Sequence, residues 1–85
     1  MTREQKNILD TFKSQPKMRM ELYGKRSVKI YSNDRTLLVT KGKEHFVVSI
    51  WLSNGDIIVW SAKIKRAYLV KMVESAMKFE RTQGR

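Results

Sequence analysis

The 85-residue chain carries 18 Lys and Arg against 8 Asp and Glu, a net charge of +10 with its single His neutral. It contains no Cys, which excludes a disulfide framework, a thiol nucleophile and a thiolate zinc site. No run approaches the roughly 20 apolar residues of a transmembrane helix, and the polar N-terminus has no signal-peptide pattern. We therefore expect one small cytoplasmic domain, residues 1–85, whose first candidate partners are polyanions.

Residues 2–14 have the pattern of a short helix. Thr2 and Gln5 have the spacing of a capping box, in which a hydroxyl and an amide satisfy two free backbone N–H groups. The apolar positions follow one narrow stripe: Ile8, Leu9 and Phe12. Pro16 is expected to end the helix. A helix of this length does not persist alone, so we expect the stripe to dock on the rest of the chain.

From Lys17 onward the apolar period changes from 3.6 to 2, which is typical of half-buried strands. Three strands are predicted, separated by turn residues: 17–23, 28–31 and 36–40. The turns are expected at residues 24–26, 32–35 and 41–43. On the first two strands, alternation places cations and aromatic rings on one face: Lys17, Arg19, Tyr23, Lys29 and Tyr31.

Residues 45–60 are predicted to form a hairpin. Asn54-Gly55 favours a two-residue type I′ turn between two strands rich in β-branched residues. Alternation separates one apolar face from the other: Phe46, Val48, Ile50 and Leu52 against Val47, Ser49 and Trp51. Because both faces carry bulk, we expect the hairpin to be central or covered on both sides. Trp51 and Trp60 either pack on each other and a helix, or one of them lies outside the main core as a stacking platform.

A final helix of about twenty residues is predicted from Ala62 to Arg81, with Ser61 as its cap and Gly84 just beyond. Its apolar residues cover more than half of the circumference, whereas a surface helix needs a stripe of only about 100°. Either the first helix packs beside it or a second copy of the chain does. We expect the latter, a homodimer through the C-terminal helix.

The predicted elements define an α+β fold. A short N-terminal helix precedes a five-stranded antiparallel sheet, and a long C-terminal helix packs on that sheet. The positive charge is unevenly distributed along these elements. Residues 17–43 carry a net charge of +6, residues 44–62 contain no Lys or Arg, and residues 63–85 carry +5. An apolar hairpin is therefore flanked by two basic segments.

This pattern favours nucleic-acid binding, because cations contact phosphates and interleaved rings stack on bases. The candidate binding residues are Lys17, Arg19, Tyr23, Lys25, Arg26, Lys29, Tyr31, Arg35, Lys41, Lys43, Lys63 and Lys71. Tyr23 and Tyr31 are the preferred stacking residues. We expect DNA rather than RNA, modest sequence specificity and a regulatory role, with the protein associated with the nucleoid.

Two other interpretations of the same charge remain open. The lysines and tyrosines of an exposed strand face can simply keep that face soluble. Alternatively, the protein is an adaptor or inhibitor that binds an acidic protein surface, such as a phage-type regulator of a host transcription or nuclease complex. A membrane partner is not expected.

No enzyme is expected. The chain lacks paired carboxylates, a metal-ligand cluster and any phosphate-binding glycine motif. His45 is the single histidine and stands beside Glu44 at the start of a strand, where a structural role is the common one. No cofactor or metal is predicted.

Overall fold

The computed structural model describes residues 1–15, 18–32 and 35–78. Predicted features at Pro16, Lys17, Asn33, Asp34 and residues 79–85 lie outside the described part of the chain. The elements in chain order are α1 (Arg3–Thr11), β1 (Arg19–Tyr23), β2 (Ser27–Ser32), β3 (Arg35–Lys41), β4 (Phe46–Trp51), β5 (Ile57–Ile64) and α2 (Arg66–Lys78).

The five strands form one antiparallel sheet in the order β1-β2-β3-β4-β5, so each strand pairs with its neighbour in sequence. Both helices pack on the same face of the sheet, α1 on β2 and β3 and α2 on β3, β4 and β5. This is the predicted α+β architecture. We call the face under the helices the core face and the opposite face the outer face.

The capping box at the start of α1 is present. The Thr2 hydroxyl accepts from the Gln5 amide at 3.2 Å, and the Gln5 side chain accepts from the Thr2 amide at 3.0 Å. Gln5 is 2% exposed, and its Nε2 also donates to the carbonyls of Gly24 at 2.8 Å and Ser27 at 3.1 Å. The Thr2 hydroxyl donates to the Lys25 carbonyl. These bonds fix the N-terminus of α1 against the turn between β1 and β2.

One apolar cluster joins the helices to the core face. It contains Ile8 and Phe12 of α1 and, from α2, Leu69, Val73 and Ala76. The strands, from Val28 to Ile64, contribute every buried apolar side chain that points toward the helices. α1 also touches α2. The sheet and α1 together therefore cover most of the wide apolar arc of α2, leaving Tyr68, 58% exposed, as the large apolar side chain exposed on residues 66–78.

The β4–β5 hairpin has a different turn from the one predicted. The Gly55 amide donates to the Leu52 carbonyl at 3.0 Å, and the Leu52 amide donates to the Asp56 carbonyl at 2.8 Å. Gly55 has a φ of 97°, whereas Asn54 is not in the positive-φ region. The loop therefore has three residues and ends in a left-handed glycine. Asn54 acts through its side chain, whose Oδ1 accepts from the Asp56 amide at 2.9 Å.

The boundary between the last strand and the last helix also differs from the prediction. Ser61 does not cap a helix, because β5 continues to Ile64, which pairs with Phe46, and α2 begins at Arg66. Pairing with the whole length of β4 overrides the local helix signal of Ser61-Ala62. Two register shifts accommodate extra residues in β5, and Lys63 adopts a φ of 58° there.

The expectation that the hairpin is central or covered on both sides is wrong for β5. This strand is the edge of the sheet, and its first three residues are exposed: Ile57 44%, Ile58 50% and Val59 61%. The alternation itself is as predicted. Ile57 and Val59 pair with outer-face residues of β4, whereas Ile58 pairs with Ile50 of the core. In this strand, large apolar side chains on both faces therefore belong to an exposed edge and not to a covered strand.

We predict that Gln5→Ala lowers the free energy of unfolding by about 2–4 kcal/mol, because it removes the buried hydrogen bonds to the Gly24 and Ser27 carbonyls and opens a small cavity. Urea denaturation followed by circular dichroism measures this loss. Lys6→Ala, at a neighbouring exposed position of α1, is the matched control and should change stability by less than about 0.5 kcal/mol. Equal effects of the two substitutions would contradict the anchoring role of Gln5.

Candidate nucleic-acid interface

Because each strand pairs with the next one in sequence, the sheet is an antiparallel meander, and it brings three basic segments to one end. The β1–β2 turn and the β3–β4 turn lie at the same end, because alternate turns of an antiparallel meander do so. The junction of β5 and α2 joins them, since Ile64 pairs with Phe46 just after the β3–β4 turn. We call this region the basic end. Its cations are Arg3, Lys25, Arg26, Lys41, Lys43, Lys63, Lys65 and Arg66.

A cleft of about 380 Å³ opens at the basic end between α1 and the two turns. Its lining residues are Arg3, Glu4, Asn7, Arg26, Lys41, Gly42 and Lys43. The Lys41 amide donates to the Arg26 carbonyl at 2.9 Å, which holds the two basic turns together. The Lys41 ammonium donates to the Gly42 carbonyl at 2.8 Å and lies 5.1 Å from the Phe46 ring centroid. The cleft thus presents four cations against one carboxylate.

The start of α2 adds to the positive potential of the basic end. Lys63, Lys65 and Arg66 are all exposed there, and the first turn of α2 contains no acidic residue. The N-terminus of a helix already carries partial positive charge, so cations at this position are unfavourable unless an anion lies nearby. Arg66 also lines a shallow depression with Arg3, which places the α2 start beside the α1 start.

The outer face carries the predicted mixture of cations and rings. Register places Arg19 opposite Tyr31, Glu21 opposite Lys29 and Tyr23 opposite Ser27, all on this face. The pairing of β3 with β4 adds Trp51, which lies on the same face. The outer face therefore contains both the side chains that alternation predicted on β1 and β2 and the side chain of Trp51 on β4.

Tyr23 and Trp51 meet across the outer face, although β2 and β3 lie between their strands. Their ring centroids are 5.3 Å apart in an edge-to-face arrangement. Since adjacent strands are about 4.8 Å apart, this contact indicates that the twisted sheet is concave along the diagonal joining them. The Lys29 ammonium lies 4.4 Å from the Trp51 centroid and 5.0 Å from that of Tyr23. Leu38, which pairs with Lys29 on this face, is 8% exposed.

Tyr31 belongs to a separate polar contact at the rim of the outer face. Its hydroxyl donates to the Glu21 carboxylate at 2.6 Å, and the Arg19 guanidinium lies 5.1 Å from its ring centroid. The hydrogen bond to Glu21 raises the pKa of the Tyr31 phenol above its ordinary value of 10.0, with desolvation and the negative charge of Glu21 acting in the same direction. Lys29 opposes this rise in pKa.

Two predicted binding residues lie away from both the basic end and the outer face. The Arg35 guanidinium donates to the Ala76 carbonyl at 2.9 Å, so it contacts the C-terminal part of α2 at the opposite end of the sheet. Lys71 lies on the exposed side of α2, in a depression that it shares with Trp60. Trp60 packs against the core and Trp51 lies on the outer face, so the two tryptophans do not pack on each other.

Three cations of this surface, and the contact made by Trp51, escape prediction from the sequence. Arg3, Lys65 and Arg66 reach the basic end only through the docking of the two helices. The contact of Trp51 with Tyr23 and Lys29 depends on the registers of three successive strand pairs. The capping box of Thr2 and Gln5 was the one available signal, since it located the start of α1 in the sequence.

No known protein family, curated protein or solved structure matches the chain. Within the described residues, no group of three or more His, Cys, Asp or Glu is arranged to hold a metal ion. Over the same residues, neither helix has the length and apolar character needed to cross a membrane. The candidate interface is therefore interpreted from its own geometry and charge.

We predict that Glu21→Gln lowers the pKa of Tyr31 toward 10.0, because it removes the carboxylate that accepts a hydrogen bond from the phenol. Since the pKa of Tyr31 is raised in the folded protein, any stabilisation from this bond is complete below pH 10 and is lost as the pH rises through the raised pKa. Absorbance titration in a Tyr23→Phe/Tyr68→Phe background isolates Tyr31. An unchanged titration midpoint would contradict the contact.

Proposed function

We propose that the protein is a non-enzymatic nucleic-acid-binding protein that contacts the phosphate backbone through its basic end. The observation that carries this proposal is the convergence, among the described residues, of eight Lys and Arg at one end of the sheet, where Glu4, Asp10 and Glu44 are the neighbouring acids. Arg3 of α1 and three further segments far apart in sequence contribute these cations. Such a concentration raises the local density of polyanions and releases their counterions on binding.

The exposure of the basic end supports contact with a large ligand. Lys25, Arg26 and Lys43 stand at turns that project from the sheet and are exposed, and the cleft beside Arg3 is open to solvent. Turn residues can follow a phosphate backbone without reading base edges. The interface therefore favours affinity from phosphate contacts and modest sequence specificity, as expected of a cytoplasmic regulatory protein that binds DNA.

The outer face favours a single strand over a duplex. Tyr23 and Trp51 meet edge to face on a concave surface, with the Lys29 ammonium near both rings. A base of a single strand can stack on such rings, whereas the bases of a duplex are paired and stacked internally. Because the Tyr23 end of the outer face adjoins the β1–β2 turn, a bound strand can run from the basic end onto the rings.

We predict that Lys25→Glu/Arg26→Glu lowers the affinity for a labelled single-stranded DNA at least about hundredfold at 50 mM salt. The salt dependence, measured by fluorescence anisotropy between about 50 and 200 mM, should lose about 2 units of slope in log K against log salt. Single- and double-stranded DNA and RNA are compared in the same way, and the preferred ligand identifies the strand type.

Lys71→Glu/Lys78→Glu is the matched control, because it makes the same change in net charge on exposed residues of α2 away from the basic end. This control should retain most of the affinity. Equal losses in the two double variants would show that net charge, and not the basic end, is responsible. Binding weaker than about 100 μM by the unmodified protein at low salt would overturn the proposal and favour an acidic protein partner for the same surface.

We predict that Trp51→Leu weakens binding of single-stranded DNA about 5- to 150-fold, equivalent to the about 1–3 kcal/mol of one stacked base, and weakens duplex binding less. Leucine keeps an apolar side chain at this half-buried position while removing the ring. In a Trp60→Phe background the fluorescence of Trp51 should be quenched when the strand binds. Trp60→Phe alone, on the core face, is the control, and an unaltered affinity of Trp51→Leu would exclude the outer face from the interface.

A further inference from the structure

The free edge of β5 exposes a run of apolar residues. Among the described strands β5 pairs only with β4, and Ile57, Ile58 and Val59 are 44%, 50% and 61% exposed. Proteins usually protect such edges with charges, proline or covering segments, because an open edge can add another strand. None of these three residues is charged, and proline is absent from the strand. Within the part of the chain that the structure describes, this edge is therefore open to pairing.

The backbone groups of the edge are oriented for pairing. The Leu52 amide donates to the Asp56 carbonyl, so these residues form a hydrogen-bonded pair at the start of the hairpin. Bonded and non-bonded pairs alternate along an antiparallel ladder. The next bonded pair is therefore Ile50 with Ile58, and the amide and carbonyl groups of Ile57 and Val59 point away from β4.

The charge distribution identifies the strand that would fit this edge. Residues 44–62 contain no Lys or Arg, in a chain whose net charge is +10. An acidic partner strand would find no cation along the edge to meet it. A second copy of this chain, by contrast, is repelled wherever cations face each other and meets no such repulsion along residues 57–59. The edge is thus the surface where two copies approach most easily.

We propose that two copies of the chain form a symmetric dimer by antiparallel pairing of their β5 strands about a two-fold axis at Ile58. In this register Ile58 faces Ile58 of the second copy, and Ile57 faces Val59. The outward amides and carbonyls of Ile57 and Val59 then form four backbone hydrogen bonds. The contact is isologous, as most homodimer contacts are.

The same register keeps the two basic ends apart. Ile64, at the basic end, pairs with Phe46 and Ile58 pairs with Ile50, so the two β5 residues lie four β4 residues, or about 13 Å, apart along the strand. Antiparallel pairing directs the two basic ends in opposite directions, so about 26 Å separates them, about three times the screening distance of about 8 Å at physiological ionic strength. The bulged segment around Lys63 restricts pairing to the first half of β5. The joined sheet has both outer faces on the same side.

Sedimentation velocity of the whole chain without nucleic acid, from about 1 to about 500 μM, tests the dimer. The contact is short, so we expect a weak dimer that populates at the higher concentrations. Val59→Lys should raise its dissociation constant at least about tenfold. Tyr68→Lys is the matched control, because it places the same charge at an exposed apolar residue of α2, and it should leave the dissociation constant unchanged.

Cross-linking tests the register. The chain contains no Cys, so Ile58→Cys introduces a single thiol that faces its own copy across the two-fold axis. Mild oxidation should produce a disulfide-linked dimer about tenfold faster than for Tyr68→Cys. A monomer at all concentrations, dissociation by Tyr68→Lys instead of Val59→Lys, or equal rates of cross-linking would each overturn the proposal. A dimer that responds to Tyr68→Lys would assign the contact to α2.

Discussion

Pairing of each strand with the next one in sequence determines where the charge of this protein lies. In an antiparallel meander alternate turns return to the same end, so the basic β1–β2 and β3–β4 turns become neighbours without any attraction between them. Their mutual repulsion is opposed by uncharged contacts. The buried amide of Gln5 bonds to two carbonyls at the first turn, and the Lys41 amide bonds to Arg26 of the same region. Neutral hydrogen bonds therefore hold in place a surface with a high density of positive charge.

The outer face shows how cations are stabilised on a sheet that carries few acids. Lys29 lies over two rings and Arg19 over a third, so their charges are stabilised by the negative faces of aromatic rings. A base that stacks on Trp51 has to displace the Lys29 ammonium from the ring. In the proposed complex, the displaced ammonium would stay beside the bound strand, where a phosphate could take the place of the ring. This exchange of partners would lower the free-energy cost of exposing the ring to a base.

The local sequence pattern predicted the helices and strands, and the pairing of the strands determined where these elements begin and end. The period-2 alternation correctly placed Arg19, Tyr23, Lys29 and Tyr31 on one face, because side-chain direction in a strand follows from position alone. Asn-Gly correctly indicated a hairpin. The turn type, the end of β5 and the exposure of the edge could not be read locally, since they depend on which strand lies alongside. Contacts between distant strands, such as that of Trp51, require all intervening registers at once.

The two edges of the sheet are unlike. β1 presents Arg19 and Glu21 beside the exposed Leu22 and Tyr23, whereas the first three residues of β5 are all aliphatic. A chain whose two edges were both apolar could add subunits edge to edge without end and would polymerise into fibres. Here the β5 edge has no counterpart on the other side of the molecule. In the proposed dimer, growth by strand addition would therefore end after one step, and the net charge of +10 would oppose further aggregation.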